Sequence, residues 1–187
     1  EAIVDPFRNR EGLKLIGYEP DADFGRLPIE IIGRPEAAKE ALLEAAGKAY
    51  ELINMENYKG RHPHIGAVDT IEIYPAKGLS IEDCVEFVED LGKELYKRHE
   101  VPIYFTGKNA RRPENEGLTF IRKGNYKGAK EAVKVDPPGD GEDEEGSRGR
   151  RWGAPGRRVG SVGVDELGDL GIVDVVGRHH GEAGADE

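Results

Sequence analysis

The first 135 residues alternate between stretches with helical spacing of apolar positions and stretches with strand spacing. The predicted elements, in chain order, are the end of a helix over 1–10, strands over 13–18 and 27–31, a helix over 35–54, a strand over 68–74, a helix beginning after Ser80, a strand over 101–106 and short helical pieces over 118–122 and 126–133.

The helix after Ser80 has the clearest local signature. Ser80 and Asp83 are spaced as in a capping box, which satisfies backbone N–H groups at a helix start. The apolar residues that follow fall on one helical face, at Ile81, Cys84, Val85, Val88, Leu91 and Leu95. Because Cys84 belongs to this face, the pattern predicts a packed thiol rather than a nucleophile.

The order of elements predicts an α+β fold, an α/β sandwich. Helix, strand, strand, helix, strand is part of a ferredoxin-like plait, or split βαβ, with a mixed or antiparallel sheet and helices on one face. The first strand of that plait would precede Glu1 and is missing from the pattern. Since this strand lies in the middle of the sheet, we expect unpaired backbone groups there unless residues 172–176 or a partner chain fill the gap.

Composition changes abruptly after Val135. Residues 136–187 contain no Lys and hold 13 of the 26 Gly, together with 13 acidic residues and 6 Arg. This Gly/Asp/Glu/Arg-rich part lacks apolar periodicity over its first half and favours a tail without a fixed fold, with a strand near 172–176 as the alternative. The sequence therefore predicts two regions, a folded one over 1–135 and a tail over 136–187 that is either disordered or out of frame.

Charge and cysteine content exclude several classes of protein. The net charge is -10, from 27 basic and 37 acidic residues, which argues against a nucleic-acid or membrane-surface binder. The single cysteine excludes an internal disulfide framework and a Cys-based zinc site, and it is consistent with a cytoplasmic protein. The sequence contains no apolar run of about 18 residues, the length that spans a membrane.

The densest chemistry lies in the loop sequence MENYKGRHPHIGAVD, residues 55–69. His62 and His64 titrate near neutrality and could transfer protons in a group-transfer reaction. Together with Asp69 they could also form a metal site, for which His99, Asp21 or Asp23 would have to supply a further ligand. Histidines with a purely structural or surface role are the third interpretation.

Three segments carry a resemblance to a known family. NMENYKGRHPHIGAVDTIEIYPAKGLSIEDC, GKNARRPENEGLTFIRKGNYKG and YEPDAD resemble the N-terminal subdomain of glutamate formimidoyltransferase, or formiminotransferase, from Glu1 to about Glu131. The resemblance implies folate-dependent transfer of a formimino group from N-formimino-L-glutamate to N5 of tetrahydrofolate, a one-carbon step of histidine degradation. It also implies two α/β subdomains with folate held between them, a homodimer, no metal, and small molecules rather than nucleic acid or membrane as partners.

The resemblance assigns roles to residues by motif. His62 takes the position of the catalytic histidine, and Asp21 and Asp23 match an acidic turn that would orient this histidine or contact the substrate. The expected contacts to substrate and folate are Tyr58, Lys59, His64, Asp69, Arg111, Arg112 and Arg122. Guanidinium groups suit the carboxylates that both substrates carry.

The chain departs from the family pattern at the expected site. The turn that usually reads DxDHNR is DADFGR, residues 21–26, Tyr58 replaces a histidine of many relatives and His64 replaces an arginine. A formyl donor is therefore an alternative to the formimino donor. A binding module for folate or an acidic metabolite, without turnover, and an inactive fragment are the alternatives of other classes, and the family's second subdomain is not found after Val135.

We predict that residues 136–187 are a wrong-frame translation of the region that encodes the second subdomain. Lysine and the family motifs stop at the same point at which the share of Gly rises, and a shift of reading frame changes all three together. Translation of the other two frames should reveal an apolar α/β pattern, with the region that encodes 1–135 as the control. If both other frames are rich in stop codons or equally polar, the prediction is wrong.

Overall fold

The computed structural model describes residues 1–76, 78–135, 160–164 and the strand 171–176. The strands are β1 (Leu13–Tyr18), β2 (Arg26–Gly33), β3 (Val68–Ile73), β4 (Ile103–Gly107), β5 (Gly160–Val164) and β6 (Gly171–Val176). The helices are α1 (Pro35–Leu52), α2 (Ile81–His99), α3 (Leu118–Ile121) and α4 (Asn125–Val135). Short 3-10 turns lie at Asp5–Phe7, Met55–Asn57 and Pro113–Asn115.

The two long helices begin where local chemistry favours a helix start. Pro35 opens α1 with the fixed φ that suits a first turn. The Ser80 hydroxyl accepts from the Asp83 N–H and the Asp83 carboxylate accepts from the Ser80 N–H, which confirms the predicted capping box of α2. Within the described residues, no helix is long and apolar enough to cross a membrane.

The sheet has six strands in the order β1-β2-β6-β3-β5-β4. β6 lies between β2 and β3 and runs antiparallel to both, with Val173 opposite Ile29 on one side and Ile71 on the other. β5 pairs in parallel with β3 and β4. The predicted α/β sandwich is confirmed, and β6 occupies the central place that the predicted plait leaves open.

The two faces of the sheet are covered differently. On one face α1 and α2 enclose the main core, where Phe105 packs so close to α2 that a Cβ on Gly92 would lie 2.7 Å from its ring. The neighbouring residue Tyr104 points to the opposite face, since side chains alternate along a strand. There it packs with Ile65, Ile121 and Ala129, so that α3 and α4 cover part of the face for which the sequence predicts no helix.

Two local expectations differ from the structure. Residues 1–10 form a 3-10 turn at Asp5–Phe7 rather than the end of a longer helix, although Val4 and Phe7 are buried as an apolar face requires. Residues 160–164 form a strand in a region where the sequence favours no fixed fold, whereas the strand at 171–176 agrees with the alternative given for 172–176. β5 pairs with β3 and β4, and β6 pairs with β2 and β3. Local sequence patterns cannot by themselves reveal such long-range pairing. The boundary at 135 and the wrong-frame origin of 136–187 stay predictions, although strands at 160–164 and 171–176 that pair with the sheet are not what a wrong-frame translation is expected to form.

We predict that β6 is needed for a cooperatively folded sheet. A chain of residues 1–170 should lose cooperative thermal unfolding and self-associate, because β2 and β3 would each expose an unpaired edge. The reference is residues 1–176, which differs from it by β6 alone. Circular dichroism melts and sedimentation at several concentrations provide the measurement, and identical melts of two monomeric chains would contradict the prediction.

Candidate functional site

The histidine loop, residues 58–66, docks on the turn that joins β1 to β2, residues 19–25. The His62 N–H donates to the Phe24 carbonyl at 3.1 Å, and the Tyr58 hydroxyl donates to the same oxygen at 2.9 Å. Two segments that are far apart in sequence thus form one surface, with His62 at their junction.

Glycine at two positions permits this close approach. Gly25 has φ +72°, in the left-handed region that favours glycine, and a Cβ there would lie 2.8 Å from the Cα of Gly60. A Cβ on Gly60 would overlap the Tyr58 hydroxyl and the Phe24 carbonyl. Any side chain at either glycine would therefore separate the histidine loop from the turn.

The His62 side chain is half-buried and contacts a cation. Its Nε2 lies 3.5 Å from Nη1 of Arg26, the first residue of β2. Because a guanidinium group can only donate hydrogen bonds, Nε2 is the accepting nitrogen in this long contact. An accepting nitrogen is what a general base requires.

Arg26 also connects His62 to an acidic cleft. The cleft has a volume of about 430 Å³ and is lined by Glu19, Pro20, Asp21, Ala22, Asp23, Arg26 and Pro28. The Asp21 carboxylate accepts from the Phe24 N–H at 2.9 Å, so it builds the turn, whereas Asp23 is exposed. Sequence reasoning missed Arg26, although it retains the final arginine of the family's DxDHNR turn.

His64 is buried beneath Tyr58. It is 8% exposed, its ring centroid lies 4.1 Å from that of Tyr58, and its Nδ1 donates to the His62 carbonyl at 2.8 Å. Burial lowers the pKa of the His64 imidazole below its usual value, the charge of Arg122 acts in the same direction, and the hydrogen bond to His62 opposes them. His64 therefore supports the loop in its neutral form.

Asp69 and Arg122 form an ion pair with each other. The Asp69 carboxylate is fully buried and accepts from Arg122 Nη2 and from the Ile65 N–H, the latter at 2.7 Å. The Arg122 side chain is 19% exposed. These two expected substrate contacts thus form an ion pair directly behind the histidine loop.

The other predicted cations differ in position. Lys59 is exposed on the loop. Arg111 pairs with Glu89 of α2 at 2.9 Å and lies over Phe105, on the sheet face opposite to Ile65. Arg112 is half-buried at the start of the 3-10 turn Pro113–Asn115. The structure groups Asp21, Asp23, Tyr58, His62, His64, Asp69 and Arg122 around the loop and places Arg111 on the other face.

A metal site at this loop would need several grouped ligand side chains. Across the described residues, no three His, Cys, Asp or Glu side chains are grouped so that they could hold a metal ion. His99, one of the candidate ligands, packs against Tyr50 and donates from Nε2 to the Leu43 carbonyl at 3.3 Å. Cys84 is buried in the α2 face, as predicted, and burial raises the pKa of its thiol.

We predict that His64 makes the protein less stable in acid. A lowered pKa in the folded state means that the unfolded chain binds the proton first, so the free energy of unfolding falls as pH decreases below about 6.5. The loss attributable to His64 is at most about 1.4 kcal/mol per pH unit. Urea unfolding at several pH values should show a smaller acid loss for His64→Gln, and an equal loss in both proteins would contradict the prediction.

Comparison with known proteins identifies the family. The family described as formiminotransferase domain, N-terminal subdomain, matches residues 1–154. The mouse protein named formimidoyltransferase-cyclodeaminase is 33% identical over 134 residues, 72% of this chain and 25% of the mouse protein. The glutamate formimidoyltransferases of Thermoplasma acidophilum and Streptococcus pyogenes serotype M1 are 31% and 28% identical, over 71% of this chain and 44% of each relative.

The chain thus spans less than half the length of these relatives. The matched region includes both segments of the candidate site, the 21–26 turn and the histidine loop. The chain therefore belongs to the family of the formiminotransferase N-terminal subdomain.

Proposed function

We propose that this chain supplies the catalytic histidine of a folate-dependent formimidoyltransferase. The reaction would move the formimino group of N-formimino-L-glutamate to N5 of tetrahydrofolate and release glutamate. The observation that carries the proposal is the placement of His62. Its Nε2 accepts a long hydrogen bond from Arg26, beside the cleft that Asp21 and Asp23 line.

The proton balance of this reaction suits one imidazole. A bond forms between N5 and the formimino carbon, the bond from that carbon to the glutamate nitrogen breaks, and a proton must pass from N5 to the departing nitrogen. His62 would accept the first proton at Nε2 and return it to the leaving group. Tyr58 and Phe24 would hold its backbone while this occurs.

Carboxylate recognition would come from cations near the loop. Arg26 is half-buried at the cleft, Lys59 is exposed, and the Arg61 guanidinium lies 5.0 Å from the centroid of the Phe24 ring. Guanidinium groups bind carboxylates in paired geometry, which offsets the unfavourable net charge of the chain locally. Arg112 stays a proposed contact of the same kind.

The larger assembly is part of the proposal. Folate would lie between this subdomain and a second one, in a homodimeric enzyme that acts in the cytoplasm. The limited share of the relatives that the chain spans supports a second subdomain. The free, buried Cys84 is consistent with a reducing compartment.

A binding module without turnover is the second candidate. It is favoured by Phe24, which is 43% exposed beside His62 at a position where the family turn has histidine. An exposed aromatic ring next to Arg61 would hold a flat, acidic ligand without adding a proton carrier. A formyl donor instead of a formimino donor would use the same contacts.

A transfer assay distinguishes these functions. The absorbance of tetrahydrofolate is followed with formiminoglutamate, with a formyl donor and without donor. The proteins are this chain, a chimaera in which residues 1–135 replace the matching region of the Thermoplasma acidophilum relative, and that relative itself as positive control. Donor-dependent transfer supports the enzyme. Folate binding without transfer in either protein supports the binding module, and neither signal indicates an inactive fragment.

We predict that His62→Ala lowers transfer by roughly two to four orders of magnitude, the usual contribution of a positioned acid-base group. His64→Ala should cost much less, because the buried imidazole supports the loop and replaces an arginine of the family pattern. Steady-state rates of the chimaera measure both, and melting temperatures check that each variant folds. Equal losses, reversed by added zinc, would indicate a shared metal instead.

A further inference from the structure

Asp69 is buried at the start of β3 and serves two separate segments. Its Oδ1 accepts from the Ile65 N–H at 2.7 Å, within the histidine loop, and its Oδ2 accepts from Arg122 Nη2. The side chain has no exposed area, and the backbone carbonyl of Asp69 accepts from the Ser161 hydroxyl at 2.7 Å. Asp69 therefore connects the histidine loop to the turn between α3 and α4.

The turn between α3 and α4 makes a second contact with the loop through Asn125. Its side-chain oxygen accepts from the His64 N–H at 3.3 Å. Asn125 has φ +54° and follows Gly124 at φ +80°, so two consecutive left-handed residues form this turn. Left-handed backbone at a non-glycine residue is unfavourable and persists where surrounding contacts hold it. The turn presents Arg122 and Asn125 to the loop together.

The contacts continue from the loop interior to His62. His64, held at its N–H by Asn125, donates from Nδ1 to the His62 carbonyl at 2.8 Å. The His62 N–H is in turn fixed on the Phe24 carbonyl. Restraint on both peptide groups of His62 limits where its imidazole can lie, which is the condition for holding Nε2 at Arg26.

We propose that Asp69, Arg122 and Asn125 are positioning residues for His62, and that Arg122 acts through Asp69 rather than by binding a substrate carboxylate. The proposal rests on the proposed role of His62. The guanidinium of Arg122 already faces a buried carboxylate, which offsets its charge and which a substrate carboxylate would have to displace. This positioning role would take the place of the substrate contacts that the sequence suggests for Arg122 and Asp69.

A positioning role and a substrate-binding role of Arg122 predict different results when Arg122 and Asp69 are changed together. If Arg122 acts through Asp69, its removal and the neutralisation of Asp69 break the same contact, and the double variant resembles either single one. If Arg122 instead binds substrate, its removal leaves His62 unchanged in the absence of substrate, and the double variant resembles Asp69→Asn alone. A double-mutant cycle read at His62 separates these cases without any substrate.

The readout is the rate at which diethyl pyrocarbonate modifies His62, located by peptide mass spectrometry in the 187-residue chain. Asp69→Asn, Arg122→Gln, their combination and Asn125→Ala are compared with wild type. Lys123→Gln is the matched control, since it removes one positive charge at the neighbouring exposed position. Arg122→Lys tests rescue by a cation. Melting temperatures separate local change at His62 from general loss of stability.

We expect Arg122→Gln, Asp69→Asn and Asn125→Ala each to raise the modification rate of His62 roughly three- to tenfold. The double variant should equal the singles, Arg122→Lys should return most of the way to wild type, and Lys123→Gln should stay within about twofold of it. An unchanged rate in Arg122→Gln, or multiplied effects in the double variant, overturns the proposal. If Asp69→Asn does not fold, Arg122→Gln, Arg122→Lys and Asn125→Ala decide it by the same criteria.

The outcome is distinguishable from that of the transfer assay. If Arg122→Gln changes the modification of His62 but no transfer is detected, the positioning role is supported and the proposed function is contradicted. In the opposite case, transfer is observed, Arg122→Gln raises only the KM for the carboxylate substrate, and His62 is modified at the wild-type rate. That result would support the proposed function and contradict the positioning role.

Discussion

The backbone hydrogen-bonding groups between β2 and β3 impose the constraint on which this structure depends. Both strands belong to the first 73 residues, and neither pairs with the other directly. Buried N–H and C=O groups need partners, so a strand must lie between them. β6 supplies that strand and pairs antiparallel on both sides. The β1–β2 turn and the start of β3, which both carry residues of the candidate site, adjoin the two strands that β6 joins.

The candidate site is assembled from three segments that surround one loop. The turn before β2 provides the Phe24 carbonyl and Arg26, the loop provides His62, and the α3–α4 turn provides Arg122 and Asn125. Two of the segments contact the loop through specific hydrogen bonds, to the Phe24 carbonyl and to the Asn125 side-chain oxygen, and Ile65 of the loop also packs against Ile121 and Ala129. The loop is therefore held in one geometry although Lys59, Arg61 and Pro63 are exposed, a property that the proposed proton transfer would require.

The departures from the family pattern acquire a physical meaning in this arrangement. His64 replaces an arginine and is buried against Tyr58, where a neutral imidazole costs less than a charge would. Tyr58 in turn uses its hydroxyl to hold the Phe24 carbonyl. Tyr58 and His64, two positions at which the sequence departs from the expected family pattern, are thus in contact and support the loop together.

The sequence by itself predicted most of the elements and the candidate loop. Helix spacing and the Ser80–Asp83 capping box predicted α2, because those signals are local, and the composite motif identified the histidine loop and its family. Only the tertiary structure decided what the cations near this loop contact. Arg122 and Arg111 look alike in sequence, yet one pairs with Asp69 behind the loop and the other with Glu89 on the opposite face of the sheet. The sequence offered 172–176 as one candidate for the sheet centre, and only pairing with β2 and β3 selected it, since strand partners 100 or more residues away along the chain are not read from local pattern.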